Sequence, residues 1–370
     1  MLKIFTRRNK NHQERARQLT QWQRAAARMP GTPAGGLPIS TYDQMQDDAM
    51  IQTVLNLKRL AVLASGWTVV PFDSSPEAAR RARFAEEAFL RMEGSPTAVL
   101  EAAMDAFAKG WSVQEKVWEA EGPRIWLHAV RPKDPANFGF DLDEFGNLQG
   151  LRLTLPGEAE QLLPADKFVV YLHRRSYGYP AGRSDLVAAY PHWKAKQALL
   201  TAWRVNLERY AMPTVLGKYE RGIPVEEQEA VLAALKDIQQ HTAVVHPREI
   251  EVSLLAGHTG PSQGFMEAID HHNREIARAV VGQTLTTDEG RRVGSLALGK
   301  VHLQVFLLQV NALRRELADS VLTEQVLRPL MAANFGPGPN PRVELEPVAA
   351  DVFRTGLEPV PALRQEGAGS

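Results

Sequence analysis

The sequence predicts an α+β protein, and three features of the 370-residue chain lead to this prediction. Between residues 40 and 190, segments with helical apolar spacing alternate with short runs of Val, Trp, Tyr and Phe that are typical of antiparallel strands. From residue 191 onward, three long segments have helical spacing. A strand-containing insertion at 212–262 separates the first two of them. Helices and strands segregated in this way are typical of the α+β class.

The first 39 residues are predicted to form a basic N-terminal arm. Residues 1–30 contain eight Lys or Arg residues and one acid, Glu14. A break rich in Pro and Gly, from Pro30 to Pro38, separates them from the rest of the chain. A solvated tail without a partner is the alternative, and the segment lacks the apolar region of a secretory signal.

Residues 40–190 are predicted to form a domain with an antiparallel sheet. The expected helices lie at 40–64, 76–92 and 96–108, and the expected strands at 67–72, 112–119, 124–130, 148–155 and 167–173. Ser74 or Ser75 suits the N-cap of the second helix, because Pro76 then takes the first helical position. Gly110 is expected to end the third helix.

The second half of the chain is predicted to be mostly helical. Helices are expected at 191–211, 225–239, 265–281 and 298–333, and strands at 214–219, 242–246, 249–254 and 342–346. Pro329 is expected to kink the last helix, because proline has no amide hydrogen to donate. A polar loop with two glycines, Gln283–Ser295, joins the last two helices.

Composition excludes several kinds of site. The chain has no cysteine, so disulfides, thiolate metal sites and cysteine nucleophiles are impossible. Its 43 Lys and Arg residues balance 43 Asp and Glu residues, so any contact with nucleic acid must come from local patches. No stretch approaches the roughly 18 apolar residues of a membrane-spanning helix. We therefore expect no membrane partner.

A partial phosphate-binding motif occurs at Gly294–Lys300, which follows the pattern G-x-x-x-x-G-K. The chemistry also requires Ser or Thr after the Lys to hold Mg²⁺ and a buried strand before the loop, but Val301 follows and the preceding residues are polar. An enzyme that uses this motif would lose ATP binding on Lys300→Ala. Because no catalytic motif is complete, we predict that the chain is not an enzyme.

The histidines and acidic pairs form no recognisable metal-binding motif. Histidines in the second half include those at 241, 246, 258, 271 and 272. None has H-x-x-x-H spacing with an intervening Glu, and His271 and His272 point to different faces of a helix. Asp47–Asp48 is expected within a helix, and Asp141–Glu144 suits a turn. We therefore predict no metal and no cofactor.

Large apolar side chains recur every four residues on the helix at 191–211. Leu199, Trp203 and Leu207 are expected to pack against helices of the same or a neighbouring subunit. A platform on which bases stack, formed by Trp193, Trp203, Leu207 and Tyr210, is the alternative.

The helix at 225–239 has an acidic face and an apolar face. The apolar face should pack on the neighbouring strands, which leaves Glu226 and Glu227 available to a partner protein. A merely solvated acidic face is the alternative.

Several stretches become informative when they are taken together in chain order. They are Val169–His173 leading through Ser184 to Pro191–Lys196, then Leu207–Arg209, Ile276–Ala279 with Gly282, and Leu317–Leu330 with its final strand. This order resembles the portal proteins of tailed phages, in particular the Mu-like portal family and portals of thermophilic phages. The resemblance covers residues 40–346 and rests on element order more than on any single motif.

The resemblance implies a portal-like α+β subunit with a long helix after a tunnel loop. Its implied parts are a wing with an antiparallel sheet (40–190 and 298–346), stem helices (191–211 and 263–282), a small α/β clip (212–262), a tunnel loop (283–297) and a short tail with a reduced crown (347–370).

The resemblance also implies a function and a set of partners. Such subunits form a ring, usually a dodecamer, at one capsid vertex, through which double-stranded DNA is packaged and ejected. The implied partners are other copies of the chain, double-stranded DNA, the terminase large subunit, head-completion or tail-connector proteins, and the major capsid or scaffold protein. The implied location is the virion, after assembly in the host cytoplasm. A DNA-binding adaptor of a phage head or mobile element, using the basic arm and the Arg-containing loop, is the alternative.

The tunnel loop would project into the DNA channel. Its channel residues would be Thr286, Thr287, Asp288, Glu289, Gly290, Arg291, Arg292 and Val293. Two acids stand beside two arginines, so the local charge nearly cancels and DNA phosphates would not be held tightly. Pairing of the arginines with acids of a neighbouring subunit is the alternative.

Overall fold

A computed structural model describes Arg17 and residues 19–31, 36–176, 181–211, 214–218, 224–238, 251–255, 262–283 and 296–348. The chain divides into two units. One is Met1–Tyr190 together with Ile276–Ser370, and the other is Pro191–Glu275. We call them unit 1 and unit 2 and describe each by itself.

Helices and strands alternate in the way that the sequence predicts. The helices are α1 (Gln21–Ala27), α2 (Ile39–Gln46), α3 (Ala49–Leu63), α4 (Pro76–Arg91), α5 (Pro96–Ala103), α6 (Ala106–Lys109), α7 (Leu186–Ala211), α8 (Val225–Ile238), α9 (Ser262–Val281), α10 (Leu296–Leu317) and α11 (Arg328–Phe335). The strands are β1 (Trp67–Val70), β2 (Trp111–Glu121), β3 (Arg124–Lys133), β4 (Phe138–Leu142), β5 (Leu148–Leu153), β6 (Gln161–Pro164), β7 (Phe168–Leu172), β8 (Thr214–Lys218), β9 (Glu251–Leu255) and β10 (Arg342–Leu345).

The described part of unit 1 contains three small antiparallel sheets. Two have three strands each, in the orders β3-β2-β7 and β4-β5-β6, and the third pairs β1 with β10. The first two sheets share one core, in which the rings of Trp111 and Phe140 lie 4.4 Å apart. The α+β class and the predicted strands of this region are confirmed.

Two strands were not predicted, and their sequences explain why. β4 has the sequence FGFDL, and Gly and Asp are both disfavoured in strands. Gly139 is required there because a Cβ would lie 2.1 Å from the carbonyl oxygen of Arg28. β6 has only four residues and ends in proline, which is compatible with its position at the edge of its sheet.

The prediction of one helix at 40–64 is wrong, because the helix is interrupted at Asp47–Asp48. Asp48 has an extended backbone, and its carboxylate accepts hydrogen bonds from the amides of Met50 and Ile51. It therefore caps the N-terminus of α3 instead of lying within a helix. The predicted helix at 96–108 is also divided, into α5 and α6, and Gly110 ends α6 at φ +88°.

The predicted cap of α4 is confirmed. The hydroxyl of Ser75 accepts a hydrogen bond from the amide of Ala78, and Pro76 takes the first helical position. The prediction that the next long helix begins at Pro191 is wrong. α7 begins at Leu186, whose amide donates to the hydroxyl of Ser184 at 2.9 Å, and it continues past Pro191.

The last long helix changes its pitch instead of simply kinking. α10 leads into a π-helix at Ala318–Leu327, which leads into α11. The amide of Arg328 donates to Thr323, and Pro329 lies in the first turn of α11. The wider π turn therefore precedes the residue that lacks an amide hydrogen.

Two side-chain amides of this helix cover the edges of the sheet β3-β2-β7. Gln325 donates to the carbonyl of Val170 in β7 at 3.0 Å and accepts from the Val170 amide at 2.7 Å. Asn334 does the same with Ile125 in β3, at 2.7 and 3.0 Å. At one residue of each edge strand, a side-chain amide thus makes the two backbone hydrogen bonds that a further strand would otherwise make.

Unit 2 contains the greater part of α7 and of α9, with a small insertion between them along the chain. β8 and β9 pair in antiparallel fashion from Thr214↔Leu255 to Lys218↔Glu251. The helix α8 follows its predicted bounds closely. The strand predicted at 242–246 lies outside the described residues. Among the described helices, none is both long and apolar enough to cross a membrane.

Arg314 ties the end of α3 to the chain after β10 in unit 1. It is 1% exposed, and its guanidinium donates to the carbonyl of Val62, to the Ser65 hydroxyl at 2.5 Å and to the carbonyl of Glu346 at 2.6 Å. We expect Arg314→Met to lower the free energy of unfolding by about 1–3 kcal/mol for each buried acceptor that loses its donor. Urea unfolding of the purified chain measures this loss.

The neighbouring exposed residue supplies the control for this prediction. Arg315→Met removes the same charge from the same helix and should change the stability by less than about 0.5 kcal/mol. Equal losses in the two variants would contradict the role given to Arg314.

Candidate functional site

The predicted channel residues cannot be placed. Thr286 to Val293 lie outside the described residues, which resume at Leu296. Residues Leu296 to Lys300, the second part of the partial phosphate-binding motif, form the first turns of α10. The helix thus begins four residues before Lys300, whereas a phosphate loop holds the ligand with non-helical backbone ahead of its lysine.

The predicted stripe on α7 is only partly packed within unit 2. The indole of Trp203 stacks on the ring of Phe265 in α9, with a centroid distance of 6.4 Å and an angle of 9°. Trp203 and Leu199 are half-buried, whereas Leu207 is 46% exposed. Leu200 is also exposed. This end of α7 therefore presents an apolar surface that unit 2 does not cover.

The predicted acidic face of α8 is described in part. Glu226 is exposed, and the side chain of Glu227 lies outside the described residues. Val225 and Leu232 of the same helix are also exposed, at 63% and 53%.

A buried charge network that the sequence analysis missed lies just before α7. The carboxylate of Asp185 accepts hydrogen bonds from Lys58 Nζ at 2.6 Å and from His173 Nε2 at 3.0 Å. Arg174 Nη2 also lies 3.0 Å from the carboxylate. Lys58, His173 and Asp185 are almost fully buried. One carboxylate therefore joins α3, the end of β7 and the start of α7, all within unit 1.

Aromatic and polar groups extend the network. The hydroxyl of Tyr171 lies 3.3 Å from Nδ1 of His173 and donates to Glu316 of α10 at 3.1 Å. The Lys58 ammonium lies 4.5 Å from the centre of the Phe107 ring, which is within range of a cation–π contact. Arg174 has φ +49°, an uncommon conformation for a residue with a side chain.

The environment sets the charge of each member. Burial raises the pKa of Asp185, but the hydrogen bond from His173 and the charges of Lys58 and Arg174 outweigh it and lower that pKa to about 2. Burial lowers the pKa of His173 despite the neighbouring carboxylate. Burial also raises the pKa of Tyr171 and lowers that of Lys58.

This arrangement suits a structural role better than acid–base catalysis. A general base works best when its pKa lies near the operating pH, whereas the Asp185 carboxylate stays ionised far below it. Its three partners, Lys58, His173 and Arg174, are all engaged with it. A cavity of about 350 Å³ beside the network is lined by residues that include Lys58, His173, Phe306 and Glu316.

Comparison with known proteins identifies the family. The model of the family described as "Portal protein of Mu bacteriophage" matches residues 39–365. The chain belongs to this family of Mu portal proteins.

Two curated relatives agree with this assignment. The portal protein of Escherichia phage Mu is 29% identical over 298 residues, which are 79% of this chain and 56% of that protein. The Mu-like prophage FluMu protein gp29 of Haemophilus influenzae is 29% identical over 297 residues, again 79% of this chain and 56% of that protein. The chain thus spans little more than half the length of these Mu portal relatives.

Solved structures support the fold. A chain from the neck of an empty gene transfer agent particle, computed with C6 symmetry, has a TM-score of 0.62 and 13% identity and covers 90% of this chain and 92% of its own. A chain from the neck of the native particle, computed with C12 symmetry, has a TM-score of 0.61 and 14% identity and covers 90% and 91%. At this identity the similarity establishes the portal-like fold alone.

Part of the signal for the Asp185 network is present in the sequence. The segment from Val169 to Ser184 carries charged residues as well as the element order that resembles portal proteins. Adjacent His173 and Arg174 follow a hydrophobic strand, and Asp185 precedes a long helix. Charged residues at such positions indicate a polar contact, although Lys58 could not be paired with them from sequence because 127 residues separate it from Asp185.

The histidine prediction needs a correction. His271 and His272 were expected to be unrelated because adjacent helical residues point in different directions. In unit 2, however, both lie close to His192, and one nitrogen of each of the three rings lies within 4.8 Å of those of the other two.

The network predicts a large effect of a conservative substitution. We expect Asp185→Asn to destabilise the protein by about 3–5 kcal/mol, because the charges of Lys58 and Arg174 would lose their buried counter-ion. Thermal or urea unfolding of the unassembled chain measures the change.

A surface pair of similar length supplies the matched control. Arg91 and Glu121 lie 2.7 Å apart and are largely exposed, so Glu121→Gln should cost only about 0–1 kcal/mol. If Asp185→Asn lowered the stability as little as this control does, the network would not have the structural role proposed for it.

Proposed function

We propose that this chain is the ring-forming subunit of a phage portal, which provides a channel for double-stranded DNA at one capsid vertex. The observation that carries the proposal is the match of the Mu portal family to residues 39–365. The balanced charge of the chain supports it as well, because DNA that must slide through a channel cannot be held by many tight phosphate contacts.

The proposed function assigns a part of a portal subunit to each group of helices and strands. We assign the described portions of unit 1 to the wing, α7 and α9 to the stem, and β8, α8 and β9 to the clip. In chain order α7 leads into the strand–helix–strand insertion and α9 leads out of it, which supports a clip carried by two stem helices. The residues Thr286 to Val293 would form the tunnel loop.

The proposed role is structural and not enzymatic. Its partners would be further copies of the chain, DNA, the terminase large subunit, head-completion or tail-connector proteins, and the capsid or scaffold. Glu226 and Glu227 would take part in docking at the clip. The protein would assemble in the host cytoplasm and remain in the virion.

The mass of the purified protein in solution tests this proposal. Closed rings of many copies, about twelve by analogy with the C12 neck, with a central hole in negative-stain images would support it. Monomers or dimers whose binding to duplex DNA weakens steeply with salt would instead support a DNA-binding adaptor.

The exposed end of the α7 stripe predicts a defect in assembly. Because Leu207 is half-exposed in one subunit, Leu207→Asp should leave the subunit folded. In the proposed ring it would place a charge in an apolar contact between subunits, which costs several kcal/mol, so rings should dissociate at concentrations where the wild type stays assembled. Analytical ultracentrifugation measures the distribution.

An exposed leucine of unit 1 provides the control. Leu162 in β6 is 60% exposed, and Leu162→Asp should leave the rings intact. If the Leu207→Asp variant forms rings of unchanged stability, the stripe is not part of the subunit interface.

The charge balance of the loop predicts how rings bind DNA. Replacing Asp288 and Glu289 with Asn and Gln leaves Arg291 and Arg292 unopposed. Assembled rings of this variant should bind duplex DNA more tightly than the wild type at low salt, and the difference should shrink as salt rises. Fluorescence anisotropy over a salt series measures both effects.

The adjacent exposed acids Glu86 and Glu87 of α4 allow a matched double variant. Glu86→Gln with Glu87→Gln changes the net charge equally, so it separates the effect of the loop from that of total charge. Identical salt dependence in the two variants would show that the loop does not meet DNA.

A further inference from the structure

Three histidine side chains meet between two helices of unit 2. His192 lies in α7, and His271 and His272 lie in α9, far apart in the sequence. One ring nitrogen of each histidine lies within 4.8 Å of the corresponding nitrogen of the other two. Nothing in the proposed passage of DNA requires this cluster, so it calls for a separate explanation.

The geometry is close to that of a metal site. Nδ1 of His192 and Nδ1 of His272 are 3.2 Å apart. Two imidazole nitrogens on one tetrahedral zinc ion, each about 2.0–2.1 Å from the metal, are about 3.3 Å apart. The ring of His271 lies 5.3 Å from that of His272 and 6.3 Å from that of His192, between centroids. The His271 side chain is exposed, and its nitrogen would have to move closer to the other two to share one ion.

Metal binding would rearrange the protons of the cluster. A neutral imidazole is the form that coordinates metals. In the short contact between His192 and His272, one Nδ1 carries a proton and the other accepts it. A metal would use both Nδ1 lone pairs, and that proton would move to Nε2 of the same ring.

We propose that His192, His271 and His272 bind a divalent transition-metal ion, with Zn²⁺ as the best match, through three imidazole nitrogens. Imidazole ligands suit Zn²⁺, Cu²⁺ and Ni²⁺, whereas Mg²⁺ and Ca²⁺ prefer oxygen. Three protein ligands leave a fourth tetrahedral position for water. The ion would link α7 to α9 and resist their separation. His271 is exposed, which gives the ion access from solvent.

Titration of the full-length, tag-free protein with Co²⁺ and Zn²⁺ tests the proposal. The metal-free protein should bind one Co²⁺ per chain with the strong visible absorption of a tetrahedral site, and one equivalent of Zn²⁺ should abolish that absorption. Zn²⁺ should also raise the melting temperature of the wild type, because a ligand that binds only the folded state stabilises it. Mg²⁺ at the same concentration should do neither.

Single substitutions separate metal binding from packing. Because His271 is exposed, His271→Ala should keep the fold, as circular dichroism can verify, and should weaken Zn²⁺ binding by at least about tenfold. His192→Ala should weaken it similarly. His302→Ala in α10 removes a histidine outside the cluster and should leave the affinity unchanged.

Two results would overturn the proposal. One is a wild-type protein that binds no Co²⁺ or Zn²⁺, which would leave the three rings as a packing cluster. The other is a triple variant (His192→Ala, His271→Ala, His272→Ala) that is folded and binds Zn²⁺ as tightly as the wild type, because the metal would then be held elsewhere. Neither result depends on whether the chain forms rings.

Discussion

The carboxylate of Asp185 is the group on which the arrangement of unit 1 depends most. It lies at the point where the chain leaves the sheet β3-β2-β7 and enters the long helix α7, and Lys58, Arg174 and the imidazole of His173 all contact it. A buried ion pair of this kind gains little net free energy over a hydrophobic contact, because desolvation offsets the attraction. Its contribution is to geometry, since it holds α3, the end of β7 and the start of α7 together at one carboxylate. We infer that the network fixes the residue at which α7 begins.

The same logic applies to the edges of the sheet. Gln325 and Asn334 offer their side-chain amides to the edge strands as a neighbouring strand would offer its backbone. Each satisfies one donor and one acceptor that would otherwise be open to another chain. In the proposed ring, subunits would then associate through helical surfaces and not through these strand edges.

Both units retain exposed apolar side chains. Unit 1 exposes Leu162 and Leu308, for example, and α7 and α8 of unit 2 expose Leu207 and Leu232. Surfaces of this kind are common where subunits meet. The exposed side chains of α7 and α8 agree with the proposed function, in which neighbouring subunits would cover these helices.

The sequence by itself determined the class of the fold, most of its elements and the resemblance to portal proteins, because periodicity, capping residues and element order are local properties. Ser75 with Pro76 and the strands on either side of Gly122 are examples in which local rules were sufficient. The break at Asp48, the start of α7 at Leu186 and the strand β4 depended on contacts that local rules do not contain. Only the tertiary structure brought Lys58 to Asp185 and His192 to His272, because their separations along the chain carry no signal in a single sequence. The buried network and the histidine cluster were therefore decided by packing, which alone sets which distant polar groups share one space.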